Sequence, residues 1–165
     1  MPTFSGGGGG GLLAATVTLT NAQVLALPTT PVTLVAAQGA GRLIVGADSL
    51  SFPAIFSING PGTAYTNVDA AVTWDLVNDG FNNSGGWANH YKAHDLLTYG
   101  VPGVGPVVDV ANPTAESSGI SETVNENAAN QRVYLAATNG VLGNFTGGDA
   151  SNTLTVTFLY VVVSV

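Results

Sequence analysis

The chain contains no cysteine. That absence excludes disulfide cross-links and zinc sites built from thiolates. The chain also lacks an apolar run long enough to form a membrane helix. The longest run, residues 158–163, is far below the roughly 20 residues that such a helix needs. We therefore expect no membrane partner.

Charge is scarce throughout. Charged residues make up 8% of the chain, against about 25% in an ordinary soluble domain. The only cations are Arg42, Lys92 and Arg132, and the formal net charge is −7. Three scattered cations cannot neutralise a row of phosphates, so we expect no nucleic-acid partner. Uncharged Thr, Asn, Ser and Gly supply the polar surface instead, which favours contact with other protein over free dispersion in water.

The first residues of the chain are rich in glycine. They lack both the cationic and the apolar region of a secretory signal, so we expect the protein to fold in a cytoplasm. We predict a glycine-rich arm over residues 1–14 and a single β domain over residues 15–165. The arm residues that we expect at a protein interface are Phe4, Gly6, Gly7, Gly8, Gly9, Gly10 and Gly11.

Short β-branched segments separated by Gly and Asn turns dominate the rest of the chain. This pattern predicts an all-β fold, an antiparallel sandwich or barrel of jelly-roll type with long loops. The turn at 39–41 indicates that the two strands flanking it form a hairpin. The predicted strands are residues 15–20, 31–36, 42–45, 51–58, 67–77, 104–110, 131–138 and 153–163.

Helical signals are few. Thr20 and Gln23 fit a capping box, and Pro28 limits the helix that follows to about residues 21–26. Residues 88–98 have an aromatic and histidine spacing that would suit one or two further helical turns.

The carboxyl-terminal strand changes character along its length. It begins with polar Thr on one face and ends with Val161, Val162 and Val163, which are apolar on both faces. An uncovered edge of this kind promotes aggregation. We therefore expect Val161 and Val163 to be covered, either by this chain or by a neighbouring subunit.

No pattern reaches the standard of a catalytic or metal site. Residues 75–80 begin like a calcium loop, but Val77 and Gly86 stand where the loop needs oxygen ligands, so an Asn-Asp-Gly turn is favoured. His90 and His94 would share one face if the segment were helical, yet no third histidine exists. We expect no catalytic residues, no metal and no cofactor, and we expect that the protein is not an enzyme.

Exposed aromatic side chains would allow a different function. Trp74, Trp87, Tyr65 and Tyr91 could stack on sugars, with Trp87 the best placed because it follows a glycine turn. Trp74 lies in phase with the apolar face of its strand, which favours a core position. Core packing is the more common role for such residues.

Three segments, residues 15–35, 65–70 and 143–157, together resemble small structural proteins of tailed-bacteriophage virions, a group that includes capsid decoration (cement) proteins. The resemblance implies a β-rich domain, typically a homotrimer, that attaches to the capsid surface and stabilises contacts between major capsid proteins. It implies a location in the virion after assembly in the host cytoplasm. Residues 78–130 lie outside it, so a tail or head-fibre module that binds host glycans or a receptor is the alternative.

Overall fold

The computed structural model describes residues 11–46, 54–60, 63–79, 88–98, 107–109 and 129–164. Within these ranges the chain is mostly β-strand, with two short helices. The elements in chain order are β1 (Leu13–Thr20), α1 (Asn21–Ala26), β2 (Val32–Val35), β3 (Arg42–Gly46), β4 (Ala54–Asn59), β5 (Tyr65–Thr66), β6 (Thr73–Asn78), β7 (Ala88–Lys92), α2 (His94–Thr98), β8 (Val107–Asp109), β9 (Val133–Thr138), β10 (Thr146–Gly147) and β11 (Thr153–Ser164).

The strands form two main sheets and one short ribbon. The five-stranded sheet has the order β1-β11-β4-β8, and β3 pairs with the far end of β11. The four-stranded sheet has the order β2-β9-β6-β7, and β10 pairs with β5 in the ribbon. The pairings among the described strands are all antiparallel. The prediction of an all-β antiparallel fold is confirmed, and the arrangement is sandwich-like.

The two sheets meet through an apolar core. Phe56 of the five-stranded sheet stacks on Trp74 of the four-stranded sheet at 5.9 Å between ring centroids, and it contacts Tyr91 at 5.3 Å. Aromatic contacts of this kind add about 0.5–1.5 kcal/mol beyond the burial of their area. Trp74 is fully buried, as its phase in the strand predicts. Other buried members of the core are Leu19, Ile58, Leu76, Leu135, Leu154, Val156 and Phe158.

The first helix forms as the sequence predicts. The Thr20 hydroxyl accepts a hydrogen bond from the backbone N–H of Gln23 at 3.4 Å, and the Gln23 side chain accepts one from the Thr20 N–H at 3.0 Å. This capping box satisfies backbone donors that the first turn would otherwise leave free. The helix spans Asn21–Ala26 and ends before Pro28.

The predicted hairpin across residues 39–41 is wrong. The two strands exist, but β2 pairs with β9 in the four-stranded sheet and β3 pairs with β11 in the five-stranded sheet. The turn signal is real, because Gly39 and Gly41 both have positive φ and the Arg42 N–H donates to the Gly39 carbonyl. The turn carries the chain from one sheet to the other because each strand finds a distant partner.

Two other segments differ from their predicted form. Residues 67–72 do not continue the strand predicted over 67–77, because Asn67 has a φ of 57° and the Asp69 carboxylate accepts from the Ala71 N–H to make a turn. Residues 88–98 are not one helical segment. Residues Ala88–Lys92 form β7, which pairs with β6 and places Tyr91 in the core, and α2 begins only at His94.

Asp75 is an acidic residue that lies in a strand. It is buried in β6, where its carboxylate accepts hydrogen bonds from the hydroxyls of Thr73 at 2.7 Å and Thr138 at 2.5 Å. A buried carboxylate needs such partners because desolvation of an unpaired charge is costly. Asp75 therefore has a structural role, and the calcium-loop pattern begins inside strand β6.

Burial of Tyr65 makes the stability of the fold decrease at high pH. Desolvation raises the pKa of Tyr65 to about 12, and the Asn152 side chain opposes this rise. An unfolded tyrosine has a pKa of about 10. Between these values the folded state retains a proton that the unfolded state has lost, so this contribution to stability is complete below pH 10 and decreases as the pH rises to about 12.

We predict that Tyr65→Phe reduces the loss of stability between about pH 10 and pH 12. The measurement is the free energy of unfolding in urea at several pH values. Tyr134, whose pKa is also raised by burial, provides the comparison through Tyr134→Phe. An unchanged slope in Tyr65→Phe would contradict the assignment.

Candidate assembly surface

The outer face of the five-stranded sheet is uncharged across three adjacent strands. We define the threonine face as the outward residues of β1, β11 and β4. Residues in register across the sheet share a face, so each row of the face contains one residue from each strand. The rows are Thr16, Thr157 and Ile55; Thr18, Thr155 and Ser57; and Thr20, Thr153 and Asn59. β1, β11 and β4 contain no charged residue.

Hydroxyl groups on this face bond to one another. Thr16 Oγ1 lies 3.0 Å from Thr157 Oγ1, and Thr18 Oγ1 lies 3.0 Å from Thr155 Oγ1. In each pair one hydroxyl satisfies the other, which lowers the cost of removing water from the face. A protein partner can therefore cover this face without burying an unpaired charge.

The charged side chains of Arg132, Asp79 and Asp149 bind their partners away from the threonine face. Arg132 forms an ion pair with Asp79 at 2.7 Å and lies over the Tyr134 ring at 5.3 Å. Asp149 accepts hydrogen bonds from the Ser151 N–H and hydroxyl, which lower the pKa of its carboxyl. These groups belong to the four-stranded sheet and to the turn before β11, so they leave the threonine face neutral.

The interface residues expected from the sequence are only partly described. Phe4 and Gly6 to Gly10 lie outside the described residues. Gly11 is exposed, and a Cβ there would meet nothing within 4 Å, so packing does not require glycine at this position. Val161 and Val163 belong to β11 and pair with Val45 and Leu43 of β3.

Beyond the start of β1, one edge of β11 has no strand partner among the residues that the structure describes. Tyr160 pairs with Leu13 of β1 on one side and with Gly46 of β3 on the other. β1 begins at Leu13, so residues 161–164 have no strand partner on the β1 side within the described part of the chain. β3 therefore pairs with one edge of this segment, Val163 is still 38% exposed, and cover of Val161 and Val163 by a neighbouring subunit stays a prediction. Three exposed apolar side chains lie at this end, and we call them the open-edge patch: Leu12, Leu13 and Val163.

A second apolar feature was missed by the sequence analysis. Residues 139–145 connect β9 to β10, and we call them the apical loop. Buried Asn139 fixes its base, because its side-chain amide donates to the carbonyls of Asn67 at 2.9 Å and Gly143 at 2.6 Å. Its side-chain oxygen accepts from the Asp69 N–H at 2.8 Å.

Asn67 fixes the other side of the apical loop. Its amide donates to the carbonyls of Leu142 at 3.0 Å and Asn144 at 2.7 Å. The loop nevertheless presents apolar side chains at its tip, where Val141 is 99% exposed and Leu142 is 42% exposed. The Asn-Gly pair at 139–140 signals a turn in the sequence. That the turn is held in one shape becomes visible only in the structure, through the hydrogen bonds of Asn67 and Asn139.

The sugar-stacking and metal-binding sites considered from the sequence have little support in the geometry. Trp74, Tyr65 and Tyr91 are buried and cannot stack on a sugar, and Trp87 lies outside the described residues. His90 is in β7 and His94 is in α2, so the helical pairing of the two histidines is wrong. Within the described ranges no three His, Asp or Glu side chains cluster as metal ligands, and no helix has the length and hydropathy of a membrane span.

We predict that Asn139→Ala destabilises the protein by about 2–3 kcal/mol, because it leaves a backbone N–H and two carbonyls without these partners. Urea unfolding measures the change. Asn144→Ala is the matched control, since Asn144 is exposed and its side chain accepts one bond from Thr29. The control should lose less than about 1 kcal/mol. Equal losses in the two variants would show that Asn139 does not brace the loop.

No protein-family model, no curated protein and no solved structure matches the chain.

Proposed function

We propose that the protein is a capsid decoration protein of a tailed bacteriophage. It binds the outer capsid surface and stabilises contacts between major capsid proteins, and it acts as a homotrimer. It folds in the host cytoplasm and functions in the virion. The three segments that resemble virion structural proteins support this role, and the threonine face is the structural observation that carries it.

The threonine face suits permanent contact with protein. Stable interfaces have few charged residues at their centre, and this face has none on β1, β11 or β4. A cementing protein adds contact area across junctions that the pressure of the packaged genome would otherwise separate. Neutral, internally bonded hydroxyls contribute such area at a small desolvation cost.

The size of the face argues for several copies acting together. β1 has eight residues, which gives a length of about 27 Å, and three strands about 4.8 Å apart give a width of about 10–14 Å. The resulting area of roughly 300–400 Å² is about half of the 800 Å² that one partner usually contributes to a stable interface. A homotrimer would engage the shell through three such faces, and this multivalency raises the affinity.

A glycan-binding or receptor-binding module is the alternative from the sequence. Burial of Tyr65, Trp74 and Tyr91 removes three of its four candidate stacking residues. The capsid role therefore has the better support.

We predict that Thr155→Lys weakens attachment while the domain stays folded. Thr155 lies at the centre of the threonine face, between Thr18 and Ser57. A lysine there would bury an unpaired cation on docking, which should weaken binding at least about tenfold. The measurement is cosedimentation of the full chain with shells of the cognate phage assembled without it. Gln38→Lys, which adds the same charge at an exposed loop position, should bind like the wild type.

Thr155→Lys binding as tightly as the wild type would exclude the threonine face as the attachment surface. Circular dichroism and urea unfolding establish that the variant is folded. Loss of binding in both lysine variants would indicate general charge repulsion rather than a specific surface.

The glycine-rich arm supplies a separate test. We predict that deletion of residues 2–11 abolishes shell binding and leaves the unfolding free energy of the β domain unchanged, because the arm precedes the first strand at Leu13. The assay is the same cosedimentation. Full occupancy of shells by the deletion variant would contradict a role for Phe4 and the glycines.

A further inference from the structure

The large exposed apolar side chains of the described residues fall into two groups. Leu12 is 55% exposed, Leu13 41% and Val163 38%, and these form the open-edge patch. Val141 and Leu142 form the tip of the apical loop. Exposed apolar groups that cluster, rather than scatter singly, are typical of protein interfaces. Each group therefore suits contact with a partner surface.

The two groups lie toward opposite ends of the β1–β11 pair. β1 starts beside the open-edge patch, where Leu13 is opposite Tyr160, and ends where Thr20 is opposite Thr153. α1 follows Thr20, and the apical loop is attached to it, because the Phe145 N–H donates to the Leu25 carbonyl at 3.1 Å. At about 3.4 Å per residue, the eight residues of β1 separate the two ends by about 27 Å. One copy therefore cannot bring its own loop to its own patch.

The two groups also differ in shape. The apical loop presents Val141 at its tip, and its backbone is held by Asn67 and Asn139, so it loses little conformational freedom on binding. The open-edge patch flanks a strand edge whose backbone groups are free on one side within the described residues. A braced loop with an apolar tip can pack on exposed apolar side chains beside such a strand edge.

The charges next to the two groups are opposite. Arg42 lies beside the patch, where its guanidinium donates to the Ser164 hydroxyl at 3.1 Å, and it forms no ion pair within the described ranges. Asp69 lies beside the apical loop, where one carboxylate oxygen would be 2.9 Å from a Cβ at Gly140. The opposite charges of Arg42 and Asp69 favour contact between the apical loop of one copy and the open-edge patch of another. Contact between two apical loops would bring two Asp69 carboxylates together and is disfavoured.

We propose that copies of this chain associate head to tail, with the apical loop of one copy packed on the open-edge patch of the next. The occupant of the patch is thus a second copy, identified by apolar fit and by the opposite charges of Arg42 and Asp69. A heterologous contact closes into a ring when the rotation between copies divides a full turn, and a homotrimer is such a ring. The inference rests on the self-association in the proposed function and adds which surfaces meet.

The test uses two full-chain variants, each with one surface damaged. Val141→Asp removes the apolar tip, and Leu12→Asp places a charge in the patch. Both side chains are mostly exposed, so the domain should stay folded. By sedimentation equilibrium the wild type should form an oligomer, and each variant alone should associate at least about tenfold more weakly and behave as a 16.6 kDa monomer.

Mixing the two variants distinguishes a head-to-tail contact from a symmetric one. The Leu12→Asp copy retains an intact loop and the Val141→Asp copy retains an intact patch, so the mixture should form a heterodimer of twice the monomer mass. A symmetric contact of loop with loop, or patch with patch, would give no such rescue. Val141→Leu is the control, and it should form the wild-type oligomer.

A monomeric wild type, an oligomeric Val141→Asp or an equimolar mixture that stays monomeric would each overturn the proposal. Arg42→Glu adds an electrostatic readout: it should weaken self-association severalfold at low salt and less at high salt. A chain that forms the head-to-tail oligomer but does not bind phage shells would support this contact while contradicting the capsid role.

Discussion

Backbone pairing along β11 is the constraint on which the five-stranded sheet depends. The first half of this strand is paired on both edges, by β1 and by β4, and its second half is paired by β3. All three partners come from the first 59 residues of the chain, so the sheet closes only when the two ends of the sequence meet. The same pairing aligns the rows of the threonine face, and among the described residues it leaves the edge of residues 161–164 without a strand partner where β1 begins.

Uncharged hydrogen-bonding groups perform the work that ion pairs do in many domains. Hydroxyls bond to hydroxyls across β1 and β11, and the buried carboxylate of Asp75 is satisfied by two threonines. Asn67 and Asn139 brace the apical loop through its backbone carbonyls. Short side chains of this type hold strands and turns in place without the desolvation cost of a charge. The result is a domain with a neutral face on β1, β11 and β4, which is the physical basis of the proposed role in assembly.

Local patterns predicted local structure well. The capping box at Thr20 and Gln23, the short helix before Pro28 and the core position of Trp74 are all confirmed. Pairing was predicted poorly, because the turn at Gly39 and Gly41 looks the same whether the flanking strands pair with each other or with distant partners. The apical loop was missed for a similar reason: Val141 and Leu142 follow an ordinary turn signal, and Asn67, which fixes their position, lies over 70 residues away.

The sequence by itself determined the low charge, the absence of cysteine, the β-rich class and the alternation that buries one face of β11, because composition and a period of two residues are local properties. Tertiary structure alone decided which strands became neighbours, that Asp75 is buried, and that the exposed apolar side chains divide between the open-edge patch and the apical loop. Those outcomes depend on pairing between segments far apart in the chain, and the free energy of such pairing belongs to the assembled sheets and not to any one segment.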